Sequence, residues 1–131
     1  MTDFLDTENR IWNFSLTLGT ARFVAEKTGV NLLNPAEVNA DGQQLITRLM
    51  YDDLLFGTVV VALLDNQGVT PADVDGAFLK CAEGAFWEEY RLFFADRGKS
   101  WAAAAIRAGL AEREENAKQA ETMLAGATSS N

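Results

Sequence analysis

The sequence predicts an α+β fold that is predominantly α, with an N-terminal strand or β-hairpin followed by a bundle of about five helices. Two patterns lead to it. Near the start Trp12, Phe14, Leu16 and Leu18 alternate with Asn13, Ser15 and Thr17, the two-residue repeat of a strand with one buried face. From Thr20 onward the apolar residues recur at helical spacing instead, punctuated by helix stops and starts. A third observation sets the scale: 131 residues at 48% hydrophobic content make one domain, able to bury a core without disulfides or metals.

A lone strand leaves backbone groups unsatisfied, so Phe4-Leu5 is assigned as the partner strand and Asp6-Thr7-Glu8-Asn9 as the turn. Without that partner the Trp12–Leu18 edge is open to a strand of another protein. Thr20 to Thr28 forms a short helix with Ala21, Val24 and Ala25 on one side and Gly29 as its stop. Val30 to Pro35 is a loop whose Leu32-Leu33 tuck back onto the core, and Gln43 to Tyr51 is a helix with Leu45, Ile46, Leu49 and Met50 on one arc.

Asp53 to Leu64 is apolar all round the helical wheel, which marks it as the central buried helix. Its Val59-Val60-Val61 run also fits a buried strand, but Asp52-Asp53 at the start and Asn66-Gln67-Gly68 at the end favour a helix. Thr70-Pro71-Ala72-Asp73 reads as the next helix start, with Thr70 capping and Pro71 in the first turn. Helix follows to about Arg97, with Gly76 and Gly84 as places where it could break, and Ser100 caps an alanine-rich helix from Trp101. Residues 1–110 are assigned to a single globular domain. Residues 111–131 are a charged helical extension, with Glu114 and Lys118 spaced for a surface pair, and a flexible tail from Ala125.

Charge and composition exclude several functions. With 19 acidic and 11 basic residues the formal charge is -8, and such a field repels nucleic acid and anionic lipid heads, so neither is expected as a partner. Met1-Thr2-Asp3 begins no secretory signal, and the longest apolar run, Leu54 to Leu64, is about half of a bilayer span. With Cys81 as the sole cysteine, a cytoplasmic protein is expected. There is no histidine, which removes the commonest general base and metal ligand and every Ser–His or Cys–His pair. The adjacent acids Asp52-Asp53 and Glu88-Glu89 point about 100° apart on a helix and do not converge. Asp65-Asn66-Gln67-Gly68 lacks the spaced ligands of a calcium loop, and no phosphate-binding glycine pattern occurs. No catalytic residue, cofactor or metal is expected, and the chain reads as a protein binder, not an enzyme.

The candidate binding surface is the helix from Phe78 to Phe94, whose large apolar side chains spread over about half the wheel. A helix packed on one core uses a narrower stripe, so this one either sits between two layers or shows an aromatic edge to a partner. Trp87 and Phe94 lie at the margin of the arc beside Lys80 and Arg91, an aromatic-plus-arginine combination typical of interface hot spots. In the competing reading the alanine-rich helix from Trp101 folds back and covers them. The candidate partner-binding residues are Phe86, Trp87, Tyr90, Arg91 and Phe94, with Trp12 and Phe14 on the strand as a second surface.

The order of elements is a strand bearing Trp12-Asn13-Phe14-Ser15-Leu16-Thr17-Leu18-Gly19, a short helix, Thr28-Gly29-Val30-Asn31-Leu32-Leu33, and then helices only. It resembles the tail assembly chaperones of long-tailed bacteriophages and related prophage elements, which open with an aromatic-x-aliphatic-x-aliphatic-Gly strand and a Thr-Gly-Val-x-Leu-Leu helix exit. The likeness covers residues from Asn9 to Leu110, while the extension from Ala111 to Asn131 has no counterpart in it. The resemblance implies no catalytic residues. It implies a chaperone that binds the long, helical, apolar-surfaced tape measure protein and keeps it soluble while tail tube subunits assemble around it, in the host cytoplasm. The alternatives are a structural virion component, such as a tail or head–tail connector, and a small acidic regulatory adaptor. A homo-oligomer is a further option.

Overall fold

The computed structural model describes residues 1–129, with side chains through Leu124, and opens on an antiparallel hairpin. Strand β1 (Thr2–Leu5) pairs with β2 (Ile11–Phe14), Phe4 opposite Trp12 and Thr2 opposite Phe14. Phe4, Trp12 and Phe14 face the core, while the Leu5–Ile11 pair beside the turn faces outward. The turn is organised by the Asp6 carboxylate. It accepts from the backbone N–H groups of Glu8 and Arg10 at 2.8 and 2.9 Å, from Arg10 Nε at 2.7 Å and from Trp12 Nε1 at 2.9 Å.

The alternation that runs to Leu18 in sequence ends as a strand at Phe14. Leu16 is still buried, but Thr17 and Thr20 exchange side-chain-to-backbone hydrogen bonds in a capping box, which turns the chain into helix α1 (Leu18–Thr28). Leu18 is therefore the first helical residue and 57% exposed. Gly29 ends α1 with φ of 76°, the left-handed conformation that favours glycine, and its N–H donates to the Ala25 carbonyl. Of the pair that follows, Leu32 is buried and Leu33 is 39% exposed.

Helix α2 (Leu45–Tyr51) buries Leu45, Ile46, Leu49 and Met50, the four residues of its predicted arc. Helix α3 (Asp53–Leu63) is capped by the Asp52 carboxylate, which accepts from the Leu54 and Leu55 N–H groups, and a 3₁₀ turn follows at Asp65–Gln67. The Thr70–Asp73 segment does not begin a helix. Asp73 Oδ2 accepts from the Thr70 backbone and hydroxyl and closes a turn, and the cap passes to Asp75, whose carboxylate accepts from Phe78 N–H at 2.8 Å. Helix α4 (Gly76–Asp96) then runs unbroken through Gly84. Helix α5 (Ser100–Ser129) folds back against α4 and α2, and its backbone stays helical to Ser129; the rest of the expected tail, residues 130–131, lies outside the described residues.

The core is assembled around α4. Phe78 meets Phe4 and Trp12 edge-on at 5.6 and 5.7 Å, and Phe86 meets Phe14, Phe56 and Trp87 at 5.9, 5.0 and 5.0 Å. On the side of α5, Ala102, Ala103 and Ile106 are buried. Small residues let α5 approach α2 as well: a Cβ on Gly109 would come within 2.8 Å of the Met50 methyl. One further polar contact ties the hairpin to α4. The Glu89 carboxylate accepts from Leu16 N–H at 2.8 Å and Thr2 Oγ1 at 2.9 Å, and the Met1 ammonium lies 3.0 Å away.

Two predictions follow from this packing. Trp87→Ala and Phe94→Ala, at 3% and 1% exposure, should each cost about 3–5 kcal/mol in urea unfolding; a loss near zero would mean that the aromatic side chains are not core. The second concerns acid. Burial pushes the Asp6 carboxyl up, but the Trp12 indole, the Arg10 and Glu8 N–H groups and the Arg10 guanidinium outweigh it and hold the pKa down at about 2, against an ordinary 3.8. A carboxyl depressed by folding stabilises the protein above its unfolded pKa and loses that contribution as pH falls through its folded pKa. Stability should thus fall between about pH 4 and pH 2, and Asp6→Asn should flatten the slope of the unfolding midpoint in that window; an unchanged slope would reject the assignment.

Candidate functional site

The two sides of α3 have different fates. Phe56, Val59, Val60 and Leu63 are buried in the core, whereas Leu54 is 85% exposed, Thr58 is exposed and Gly57 and Val61 are half-buried. Residues 54, 57–58 and 61 are spaced i, i+3/i+4, i+7 and share one face. The helix expected to be enclosed on every side is therefore open on one. Neighbours α1, α2 and α4 cover its other sides, and none crosses this row.

An apolar groove of about 670 Å³ results, with Phe23 of α1 on one wall, Leu54 and Val61 of α3 along its length, and Pro71, Val74 and Leu79 opposite. Gly57 deepens it, since a Cβ there would lie 3.7 Å from Leu79 Cδ1 and 3.9 Å from Val74 Cγ1, in space the groove now occupies. Carboxylates mark its margins: Asp53 at the first residue of α3, Asp65 just past its last, and Asp75 across from it at the start of α4. The cation among the lining residues is Lys27, whose Nζ sits 5.7 Å from the centre of the Phe23 ring. Past Phe23, Ala62 and Asp65 the surface continues into a second depression of about 370 Å³, whose lining includes Asn13, Thr20, Asn66 and Gln67.

Such walls accept apolar side chains from a partner. Among the described residues, no group of three or more histidine, cysteine, aspartate or glutamate side chains is placed to hold a metal ion, and no helix is long and apolar enough to cross a membrane.

The residues singled out from sequence lie elsewhere. Phe14, Phe86, Trp87, Tyr90 and Phe94 are core side chains, with Tyr90 at 5.6 Å from Phe86 and 5.2 Å from Phe94. The Tyr90 hydroxyl donates to the Leu32 carbonyl at 2.6 Å, and burial raises its pKa above the ordinary value. Arg91 is partly exposed and pairs with Glu88 at 2.6 Å. The aromatic edge expected on this helix is thus not a surface, because α5 lies over it. The strand surface is closed too. Trp12 is buried with its indole N–H on Asp6, and at Asn13 the outer edge of β2 is occupied by the Gln67 side chain, which accepts from Asn13 N–H at 3.0 Å and donates to Asn13 O at 2.7 Å. A side-chain amide takes the place of a neighbouring strand there.

Phe23, Leu54, Val61 and Val74 were not singled out from sequence. For Leu54 and Val61 the signal was the apolar residues all round the Asp53–Leu64 wheel, and Phe23 and Val74, which lie outside that helix, had none. Comparison with protein-family models, with curated proteins and with solved structures finds no match to this chain.

The division of α3 is directly measurable. Leu54→Ser should change unfolding free energy by no more than about 0.5 kcal/mol, the usual range for surface positions. Phe56→Ala should cost about 3–5 kcal/mol. Equal losses at the two positions would show that the outer row is covered.

Proposed function

We propose that this protein is a non-enzymatic chaperone that binds an apolar helical stretch of a partner protein and keeps it in solution. The observation that carries the reading is the open apolar groove along α3, a surface that offers anchoring contacts to apolar side chains. The formal charge of -8 supports it, since a bound apolar segment gains an acidic coat that opposes aggregation. The resemblance at Trp12–Gly19 and Thr28–Leu33 supports a more specific version: a tail assembly chaperone of a long-tailed phage or prophage, acting in the host cytoplasm on the tape measure protein with tail tube subunits as further partners.

Co-expression with the long helical protein encoded beside a tube-subunit gene tests this. The expected result is a shift of that protein from pellet to supernatant and its co-purification with this chain. A partner that stays in the pellet overturns the chaperone reading. Stoichiometric presence of this chain in purified particles overturns it in favour of a structural virion component.

A further inference from the structure

The chaperone reading leaves open which part of a partner is recognised, and the distribution of charge around the groove narrows it. Helix α3 has 11 residues and is about 16 Å long, three helical turns, of which the open row from Leu54 to Val61 covers about two. Along the open row the residues are apolar or small: Leu54 and Thr58, which are exposed, and Gly57 and Val61, which are half-buried. Acidic side chains stand at both ends, Asp53 at one and Asp65 at the other, with Asp75 across the groove. Against these three carboxylates the lining offers Lys27, which lies over the Phe23 ring on the α1 wall. The groove is apolar in the middle and negative at its ends.

Resting on the chaperone reading, we infer that the α1–α3–α4 groove receives a three-turn amphipathic helix of the partner protein, with apolar anchors at i, i+3/i+4 and i+7 and Lys or Arg at both ends. The anchors fill the space over Gly57 between Leu54, Val61 and Leu79. The flanking cations meet Asp53 and Asp65, which fixes the segment lengthwise and disfavours acidic segments of equal apolarity. These charges are at the surface, so the preference weakens as salt rises.

The test uses the full chain and two labelled synthetic peptides of about 18 residues with the same leucine face, one with lysine flanks and one with glutamate flanks, followed by fluorescence anisotropy. The lysine-flanked peptide should bind at least about tenfold more tightly at low salt, a preference that shrinks with added salt. Gly57→Leu should fill the groove and abolish binding. It removes no core contact and replaces a mid-helix glycine, so its Tm should stay level or rise, which separates blockage from unfolding. Asp53→Asn with Asp65→Asn should bring the two peptides to within about threefold of each other.

Unchanged binding by Gly57→Leu overturns the groove as the site. An unchanged preference in the double variant overturns the charge rule. Failure of the lysine-flanked peptide to bind, while wild-type chain still solubilises the co-expressed partner, overturns this inference and leaves the chaperone function standing. Failure of both removes the two together.

Discussion

The fold depends on covering α4. This helix has large apolar side chains over about half its circumference, and each one buried contributes about 1.5–3 kcal/mol relative to exposure, so a single packing layer would leave much of that stabilisation unrealised. Three elements share the task. The hairpin sets Phe4, Trp12 and Phe14 against Phe78 and Phe86, α3 contributes Phe56, and α5 closes the remaining side with Ala102, Ala103 and Ile106. The alanine-rich start of α5 follows from this geometry, because small side chains permit close approach to a helix that already carries bulky ones.

Apolar contact is non-directional and would not by itself fix the hairpin in one place. Two buried carboxylates supply direction. Asp6 gathers four donors and joins the turn to the Trp12 indole, so the ring is held by its polar tip as well as by packing. Glu89 reaches from α4 to the open end of the hairpin, accepting from Thr2 at the start of β1 and from Leu16 just past β2. Burial disfavours both charges, yet both pKa values are lowered, because the donors around them outweigh the lost hydration. Among the described residues no buried side-chain polar atom lacks a partner, which is the condition under which such groups specify an arrangement without destabilising it.

The candidate site shows where sequence reasoning succeeds and where it misdirects. The helical wheel reads a wide apolar arc, as on α4, as needing a second layer or a partner surface, and an arc that runs all round, as on α3, as an enclosed helix. Applied to α4 it pointed at Trp87 and Phe94, but α5 is that second layer. Applied to α3 it indicated a fully enclosed helix, but one row, from Leu54 to Val61, has no element of the described residues over it. Burial of a face depends on where non-adjacent segments fall, and helical periodicity carries no information about that. The turn at Thr70–Asp73 illustrates a local version: Asp73 binds back to Thr70, so a sequence with good capping chemistry makes a turn and leaves the helix to start at Asp75.

The amino-acid sequence by itself determined the hairpin between Phe4-Leu5 and the Trp12 strand, the order of the helices that follow it, and the acidic charge, because alternation, capping and net charge are local or additive properties. The tertiary structure alone decided which apolar faces become core and which remain open. That outcome is set by competition among distant segments for the same surfaces. In that competition α5 covers the aromatic arc of α4, the Gln67 side chain takes the edge of β2, and the outer row of α3 remains as a groove with acids at its ends.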